Sequence, residues 1–551
     1  MSDTKPLKQK METQTLNIYD YIIVGAGSAG CVLAERLSAS GRHSVLILEA
    51  GPRDVSPWVR LPLGYGKTYF NEKLNWKYYS EPQAALDGRQ DYWPRGKVVG
   101  GSSSINALVW ARGLPSDFND WVESGASGWD WDKVSSVYDR LETRVSADGT
   151  QQGAGPLYVQ DVSDQIHKVN RYFFQAIHEI GLPHTDNCNG RDAEGATSYP
   201  ITTRNGLRCS SARAFLAPAL KRSNVTLITG AMVERVGFKG KRAIKVFFSV
   251  NGVANSACCG VEIILCAGAV TSPRLLQLSG IGPAAILREK GIKVRQDAPN
   301  VGGNLQDHLG INYYFKATEP TLNNQLRPLW GKATAAARYA MTRRGPLALS
   351  VNQCGGFFRS SPEITCPDQQ IYFNPVSYTT APSGTRNIVN PDPFPGFIIG
   401  FQPSRPTSRG RVDISAADPA AMPRIQPNSL NTENDIEKVI SGGRLCKKIM
   451  STHAADQLVK EPIGPDIRHM SDAEIVRDFR ARSGTVYHPV GTCRMGADPN
   501  TSVVDPQLRV HGFLGLRVVD ASIFPNITSG NTNAPTIMAA YHAADIILDT
   551  A

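Results

Sequence analysis

Apolar positions fall in two different rhythms along the chain. Ile18-Tyr-Asp-Tyr-Ile-Ile-Val24 is a short run rich in aromatic and β-branched residues, and it predicts a strand. Gly25-Ala-Gly-Ser-Ala-Gly30 interrupts it. Cys31, Leu33, Ala34 and Leu37 then recur on one face of a predicted helix. Past Gly41, Ser44 to Leu48 predicts a second strand that ends in Glu49. A similar unit opens at Ile263. Its strand meets Gly268, and Thr271 or Ser272 can cap a helix with Pro273 at its first position and Leu275, Leu276 and Leu278 buried.

From about 313 to 475 these glycine-punctuated units stop. Gln370 to Phe373 and Gly396 to Gly400 read as strands between proline-rich turns, and Pro156 to Tyr199 reads as an inserted helix and loop. The chain closes on a strand, Leu516 to Asp520, and a helix from Thr536 with Ile537, Met538, Tyr541 and Ala544 on its apolar side.

Strand, GxGxxG, helix, strand and acid together form a dinucleotide-binding pattern in which each part has a physical task. Gly25 permits the tight turn, Gly27 lets a pyrophosphate approach the backbone, and Gly30 lets the helix pack against the strand. The helix start offers free N–H groups to phosphate. Glu49, 22 residues after Gly27, can accept hydrogen bonds from a ribose and would repel a 2′-phosphate. A second loop, Arg95 to Asn106, carries Gly100-Gly101 and three serines. It offers many donors at close approach, as a bulky flavin chain needs and NAD does not.

Composition narrows the class. The chain has 551 residues, of which 41% are hydrophobic, enough for more than one folding unit and a large core. The formal charge of +10 is spread thinly and does not interleave with aromatics, so nucleic acid is not an expected partner. No apolar run reaches the ~18 residues of a membrane span. The ten cysteines include no CxxC pair, and His184 with Cys188 lacks a second ligand pair, so no metal is expected. Residues 1–17 are polar, lysine-bearing and without a secretory apolar core. They are expected to be a disordered tail on a cytoplasmic protein, with peripheral membrane association left open.

These segments resemble the glucose–methanol–choline (GMC) family of FAD-dependent oxidoreductases. The resemblance rests on Gly96 to Asn106 and on to Gly113, Gly268 to Gly282, Asn304 to His308, Asp186 to Gly190, Tyr487 to Gly496 and Leu516 to Ile547. It implies an α/β protein, α+β overall: a Rossmann-like FAD-binding domain with a second substrate domain of antiparallel sheet and helices. The boundaries expected are a tail over 1–17, an FAD domain over 18–312 with a substrate-side insertion at about 156–199, a substrate domain over 313–479, and a return to the FAD domain over 480–551.

The resemblance extends the cofactor contacts beyond Gly25, Gly27, Gly30 and Glu49. It adds Ser28, Ala29 and Ala50 around the fingerprint, Gly100, Gly101, Ser102, Asn106 and Ala107 in the second loop, and Val233 near adenine. Ala267, Gly268, Asp520, Ala521, Asn531 and Thr532 complete the set. Some members link flavin to a histidine in the second loop. Ile105 and Asn106 stand there instead, so FAD is expected to be held without a covalent bond.

Flavin-dependent alcohol oxidation needs a base for the hydroxyl proton and a donor for the alkoxide. His488, in a stiff setting before Pro489, falls at the family's catalytic histidine. Asn531, 43 residues later, fits the second position, with Asn533 as the alternative. His308 reads as structural, and His511 and His542 as strand-end and helix-surface residues. The implied function is oxidation of the CH–OH group of a primary alcohol, sugar or polyol to the aldehyde by hydride transfer to flavin N5. A quinone or dye is expected as acceptor in preference to oxygen. Gln353, standing where choline-oxidising members carry an acid, points away from choline. The alternatives are a cyanohydrin-type lyase on the same scaffold and a non-catalytic flavoprotein. Oligomeric state is not legible.

Overall fold

The computed structural model describes residues 14–378 and 390–549. Most of the expected tail, residues 1–13, lies outside the described residues. The first strand runs Gln14–Val24 and so begins inside the segment assigned to the tail. The cause is backbone pairing: Gln14, Thr15 and Leu16 pair with Asn255, Ser256 and Ala257, which extends the strand past its apolar part.

One sheet is built on five parallel strands. Val225–Thr229 pairs Val45–Glu49, which pairs Gln14–Val24, which pairs Val253–Leu265, which pairs Leu516–Val518. Ala231–Lys239 and Arg242–Val250 add an antiparallel edge. Residues 21–24, 45–49 and 263–265 are all buried, as expected of parallel strands covered on both faces. The helix Ser28–Ser38 crosses between the first two strands and packs against the closing helix, Asn533–Asp549. Gly30 explains the tight join: a Cβ there would sit 1.9 Å from the Gly25 carbonyl oxygen.

The second sheet is antiparallel, in the order Cys354–Phe358, Gln369–Asn374, Gly396–Pro403, Leu309–Ala317, Val459–Ile463. Leu309–Ala317 alternates buried and half-buried positions, which marks one face turned to a core. Helices Asn170–Glu179 and Glu433–Met450 cover that core. The insertion at about 156–199 thus sends its helix onto the second sheet.

Two local expectations are corrected. The helix expected to start at Pro273 runs Gly268–Leu278, with Pro273 in its interior. Proline leaves the carbonyl four residues earlier without its usual donor. The Thr492 hydroxyl supplies one, donating to Ala269 O at 2.6 Å. His542 is buried, not at the helix surface. The closing helix is covered on nearly every side, and His542 Nε2 meets Gly128 O at 3.2 Å with its ring edge-on to Trp129. Among the described residues no helix is long and apolar enough to cross a membrane.

Candidate functional site

The C-terminal ends of the parallel strands open into a cleft that continues to the second sheet. At the fingerprint, Gly25 N donates to Leu48 O at 2.8 Å, tying the turn to the neighbouring strand. The Glu49 carboxylate accepts from Ala26 N at 2.9 Å and Gly51 N at 2.8 Å. Burial nonetheless pushes this carboxyl up to about 7. Each carboxylate oxygen keeps a further lone pair for an incoming hydroxyl. Gly100 N donates to Ala26 O at 2.7 Å, so the second loop is fastened to the first.

Most of the expected cofactor residues line this one cleft. Gly25, Gly27, Ser28, Ala29, Glu49, Ala50 and Val233 do so around the first two strands. Gly101, Ser102, Asn106 and Ala107 do so from the second loop, and Ala267, Gly268, Asp520, Ala521, Asn531 and Thr532 from the later segments. Gly30 and Gly100 do not. Gly30 serves helix–strand packing, and Gly100 is a left-handed turn residue (φ 91) whose amide ties the loops together.

The cleft fits a dinucleotide on its own geometry. A Cβ at Gly27 would meet only Cys266 O, at an ordinary 3.7 Å, and one at Gly268 would meet nothing within 4 Å. Both glycines border open space; Gly268 is also required by its left-handed backbone (φ 84), whereas Gly27 is not. Asp520 is buried and organises the far wall: Oδ2 accepts from Gly268 N at 2.8 Å and Ser272 Oγ at 2.6 Å, and Oδ1 from Ser522 N at 2.8 Å. Burial raises its pKa. Asn531 Oδ1 is buried with no protein partner, an acceptor left for a bound group. The closing helix begins at Asn533, three residues before the expected start, so its positive end lies at the cleft.

At the second sheet the cleft meets the expected reacting pair. Asn531 Nδ2 lies 3.1 Å from His488 Nε2. Asn533 is engaged elsewhere: its Oδ1 accepts from Ser28 Oγ at 2.8 Å. His488 Nδ1 lies 3.0 Å from His308 Nδ1, and His308 Nε2 lies 2.8 Å from Ser404 O. A carbonyl can only accept, so His308 carries its proton on Nε2 and presents a bare Nδ1. His488 must then donate from Nδ1, which leaves Nε2 as the unprotonated nitrogen facing the cleft. Burial first, then His308 and Arg95, holds the His488 pKa well below its ordinary value, and burial pushes His308 down to about 4. Both rings are neutral at pH 7.

The backbone before His488 is strained. Tyr487 occupies the left-handed region (φ 71), which costs a non-glycine residue about 1–2 kcal/mol. Thr485 Oγ1 accepts from its amide at 2.8 Å, Arg95 Nη2 donates to its carbonyl at 2.5 Å, and its hydroxyl meets that of Tyr69. Asp307 Oδ1 accepts from His488 N at 2.7 Å and from His308 N at 3.0 Å, fixing both histidines from one carboxyl. Burial pushes that carboxyl up to about 7.

Sequence reasoning did not anticipate His308, Asp307 or Arg95 here. Adjacency of Asp307 and His308 at a strand start was the available signal. Gln353 does not line the cleft as a substrate contact. Its Oε1 accepts from His167 N at 2.7 Å and Asn170 Nδ2 at 2.9 Å, behind the wall. Tyr65, Asn312, Asn352, Asn374 and Tyr378, unremarked in the sequence, line the cleft near the second sheet.

A model for GMC oxidoreductases matches residues 19–310 in its N-terminal part and 406–540 in its C-terminal part. The chain belongs to the GMC oxidoreductase family. Among curated relatives, an alcohol dehydrogenase [acceptor] of Pseudomonas putida is 41% identical over 537 residues, covering 96% of each chain. The mitochondrial choline dehydrogenase of Homo sapiens is 40% identical over 543 residues, covering 96% of this chain and 89% of that one. Among solved structures, pyridoxine 4-oxidase from Mesorbium loti superimposes with a TM-score of 0.85 at 30% identity, over 96% of this chain and 98% of that one. As a GMC member the protein is an FAD-dependent oxidoreductase.

Proposed function

We propose that this protein oxidises the CH–OH group of a neutral primary alcohol, sugar or polyol to the aldehyde, and passes the electrons to a quinone or similar acceptor rather than oxygen. FAD, when bound, supplies the hydride acceptor. The protein's own groups do the rest. His488 Nε2 takes the hydroxyl proton, and Asn531 Nδ2 donates to the oxygen as it gains charge. The hydrogen bond from His488 Nδ1 to His308 strengthens as His488 becomes cationic.

The observation that carries this reading is the ordered chain from Ser404 O through His308 and His488 to Asn531, which leaves a bare nitrogen facing the cleft. Neutrality of the substrate is supported by the lining near the second sheet. Tyr65, Tyr69, Asn312, Asn352, Asn374, Tyr378 and Tyr487 offer hydroxyls, amides and ring faces, with no carboxylate among them. A dehydrogenase is favoured by the Pseudomonas putida relative, whose name specifies an acceptor.

FAD is held without a covalent bond in this reading. His488 is the sole histidine among the described residues that line the cleft, and it is committed to His308 and Asn531. An anaerobic panel of aliphatic, benzylic and polyhydroxy alcohols, with choline alongside, tests the whole proposal through bleaching of the flavin. Bleaching by choline alone would overturn the neutral-substrate reading, and faster reoxidation by oxygen than by a quinone would overturn the acceptor. Acid precipitation should leave the yellow colour in solution.

A further inference from the structure

The helix Leu329–Thr342 buries only Gly331, Ala335 and Tyr339, one narrow stripe at a spacing of four. At about 100° per residue, Leu329, Trp330, Ala333, Ala337, Ala340 and Met341 share an arc of roughly 120° on the other side. All six are exposed. Leu329 is 84% exposed, Trp330 70% and Met341 79%, a cost in water that the fold leaves standing.

The charges carried by this stretch of chain have one sign. Lys332 and Arg338 lie about 60° beyond the two edges of the arc, where long side chains can still reach toward it, Arg327 precedes the helix, and Arg343 and Arg344 follow it. No aspartate or glutamate occurs from Pro320 to Pro362. Arg344 is paired with Asp164, and Arg327 Nη1 donates to Pro391 O at 2.7 Å while keeping its charge. Further exposed apolar side chains occur on segments packed in series behind this helix. Pro346–Ala348 packs against the helix and against Pro62–Gly64, which packs against Pro57–Arg60, where Trp58 and the preceding Val55 are exposed.

We propose that this face docks on an anionic lipid bilayer, with the apolar arc entering the headgroup boundary and the flanking cations meeting lipid phosphates. The opposite face is held by the protein, so the helix lies in the surface plane and does not span it. A second copy of this chain is a poorer occupant, because a twofold contact would set Lys332 and Arg338 against the same cations. An acidic protein would answer the charge but not the convex apolar arc. The face also has a functional address. Ala335, from the buried stripe, packs in one cluster with Tyr65, Val351 and Tyr378, which line the cleft. Docking therefore sets the part of the cleft beside the second sheet next to the membrane, where lipid-dissolved alcohols and acceptors are found. The proposal stands independently of the substrate reading.

The test is cosedimentation of the holoenzyme with vesicles of phosphatidylcholine alone and of phosphatidylcholine mixed with phosphatidylglycerol. The protein should bind the anionic vesicles preferentially and be released by salt. The double variants Leu329→Glu with Trp330→Glu, and Lys332→Glu with Arg338→Glu, should each lower the bound fraction at least about tenfold while keeping FAD content and dye-coupled turnover in solution. As a second readout, doxyl-labelled lipid should quench a component of the tryptophan emission that is missing in Trp330→Phe. Wild-type protein that ignores anionic vesicles overturns the proposal. So do charge variants that bind as wild type does, and substitutions that change only a protein–protein association.

Discussion

His308 and His488 meet edge-on, with Nδ1 to Nδ1 at 3.0 Å and ring planes 88° apart. The two rings come from different parts of the chain. His308 opens the strand Leu309–Ala317, and Ser404, which sets its tautomer, follows the strand Gly396–Pro403. His488 lies on the segment that returns to the parallel sheet. The antiparallel sheet thus decides which nitrogen of His488 is bare, although His488 and Asn531 belong to the segment that returns to the parallel sheet.

His308→Ala should therefore behave as loss of a positioning group and not of the base. FAD should stay bound, and flavin reduction should slow by at least about tenfold, yet less than the ~10²–10⁴-fold that general-base catalysis itself supplies. Removing His308 also takes away the acceptor for the His488 Nδ1–H, so the pH step of reduction should move. Stopped-flow reduction across pH decides the matter. A slower variant with an unmoved step would make His308 a packing residue only.

His488→Ala should abolish most turnover while FAD binding and folding persist, because its side chain meets His308 and Asn531 at the second-sheet end of the cleft, away from the fingerprint. The sign of the pH dependence follows from the depressed pKa. The neutral ring is the acceptor, so reduction is at full rate above that pKa and falls as pH drops through it, below the ordinary ~6.5. The variant should lose about 10²–10⁴-fold in rate and the pH step with it. If the step survives in the alanine variant, the base lies elsewhere.

What was legible in the sequence was local. The fingerprint glycines, Glu49 and the small-residue loops read directly, since their chemistry depends on neighbours in the chain. His488 and Asn531 were expected as a pair by motif resemblance, and their side chains lie 3.1 Å apart. Features set by distant neighbours did not read. Pro273 looked like a helix start because Thr492, which satisfies the carbonyl it leaves bare, lies 219 residues on. His308 looked structural because its partner at 488 and the Ser404 carbonyl are brought to it only by the second sheet. Gln353 pointed away from choline by its motif position, but the side chain turns behind the wall to His167 and Asn170.

Two glycines of the fingerprint should separate folding from cofactor binding. Gly30→Ala puts a Cβ 1.9 Å from Gly25 O, against backbone that cannot yield cheaply, so the variant should lose thermal stability or fail to accumulate. Gly27→Ala meets protein only at 3.7 Å, so the apoprotein should melt as wild type does while its affinity for FAD falls sharply. Differential scanning fluorimetry with and without FAD reads both. Equal destabilisation of the two apoproteins would mean that Gly27 is also a packing residue.

Asn531 and Asn533 provide the closest discrimination within the site. Asn531 Nδ2 contacts the base, while its Oδ1 has no protein partner. Asn533 Oδ1 is bound to Ser28 at the dinucleotide loop. Asn531→Ala should retain FAD and raise the barrier to flavin reduction by about 3–4 kcal/mol, the size expected for one lost donor to a developing oxyanion. Asn531→Asp should be slower than wild type as well, since a carboxylate repels the alkoxide while stabilising a cationic His488 and raising its pKa. Asn533→Ala should weaken FAD binding and leave the reduction step of the loaded enzyme nearly unchanged. Stopped-flow reduction at saturating substrate, with flavin content measured in parallel, separates these effects. A larger slowing in Asn533→Ala than in Asn531→Ala would move the alkoxide donor two residues along the loop.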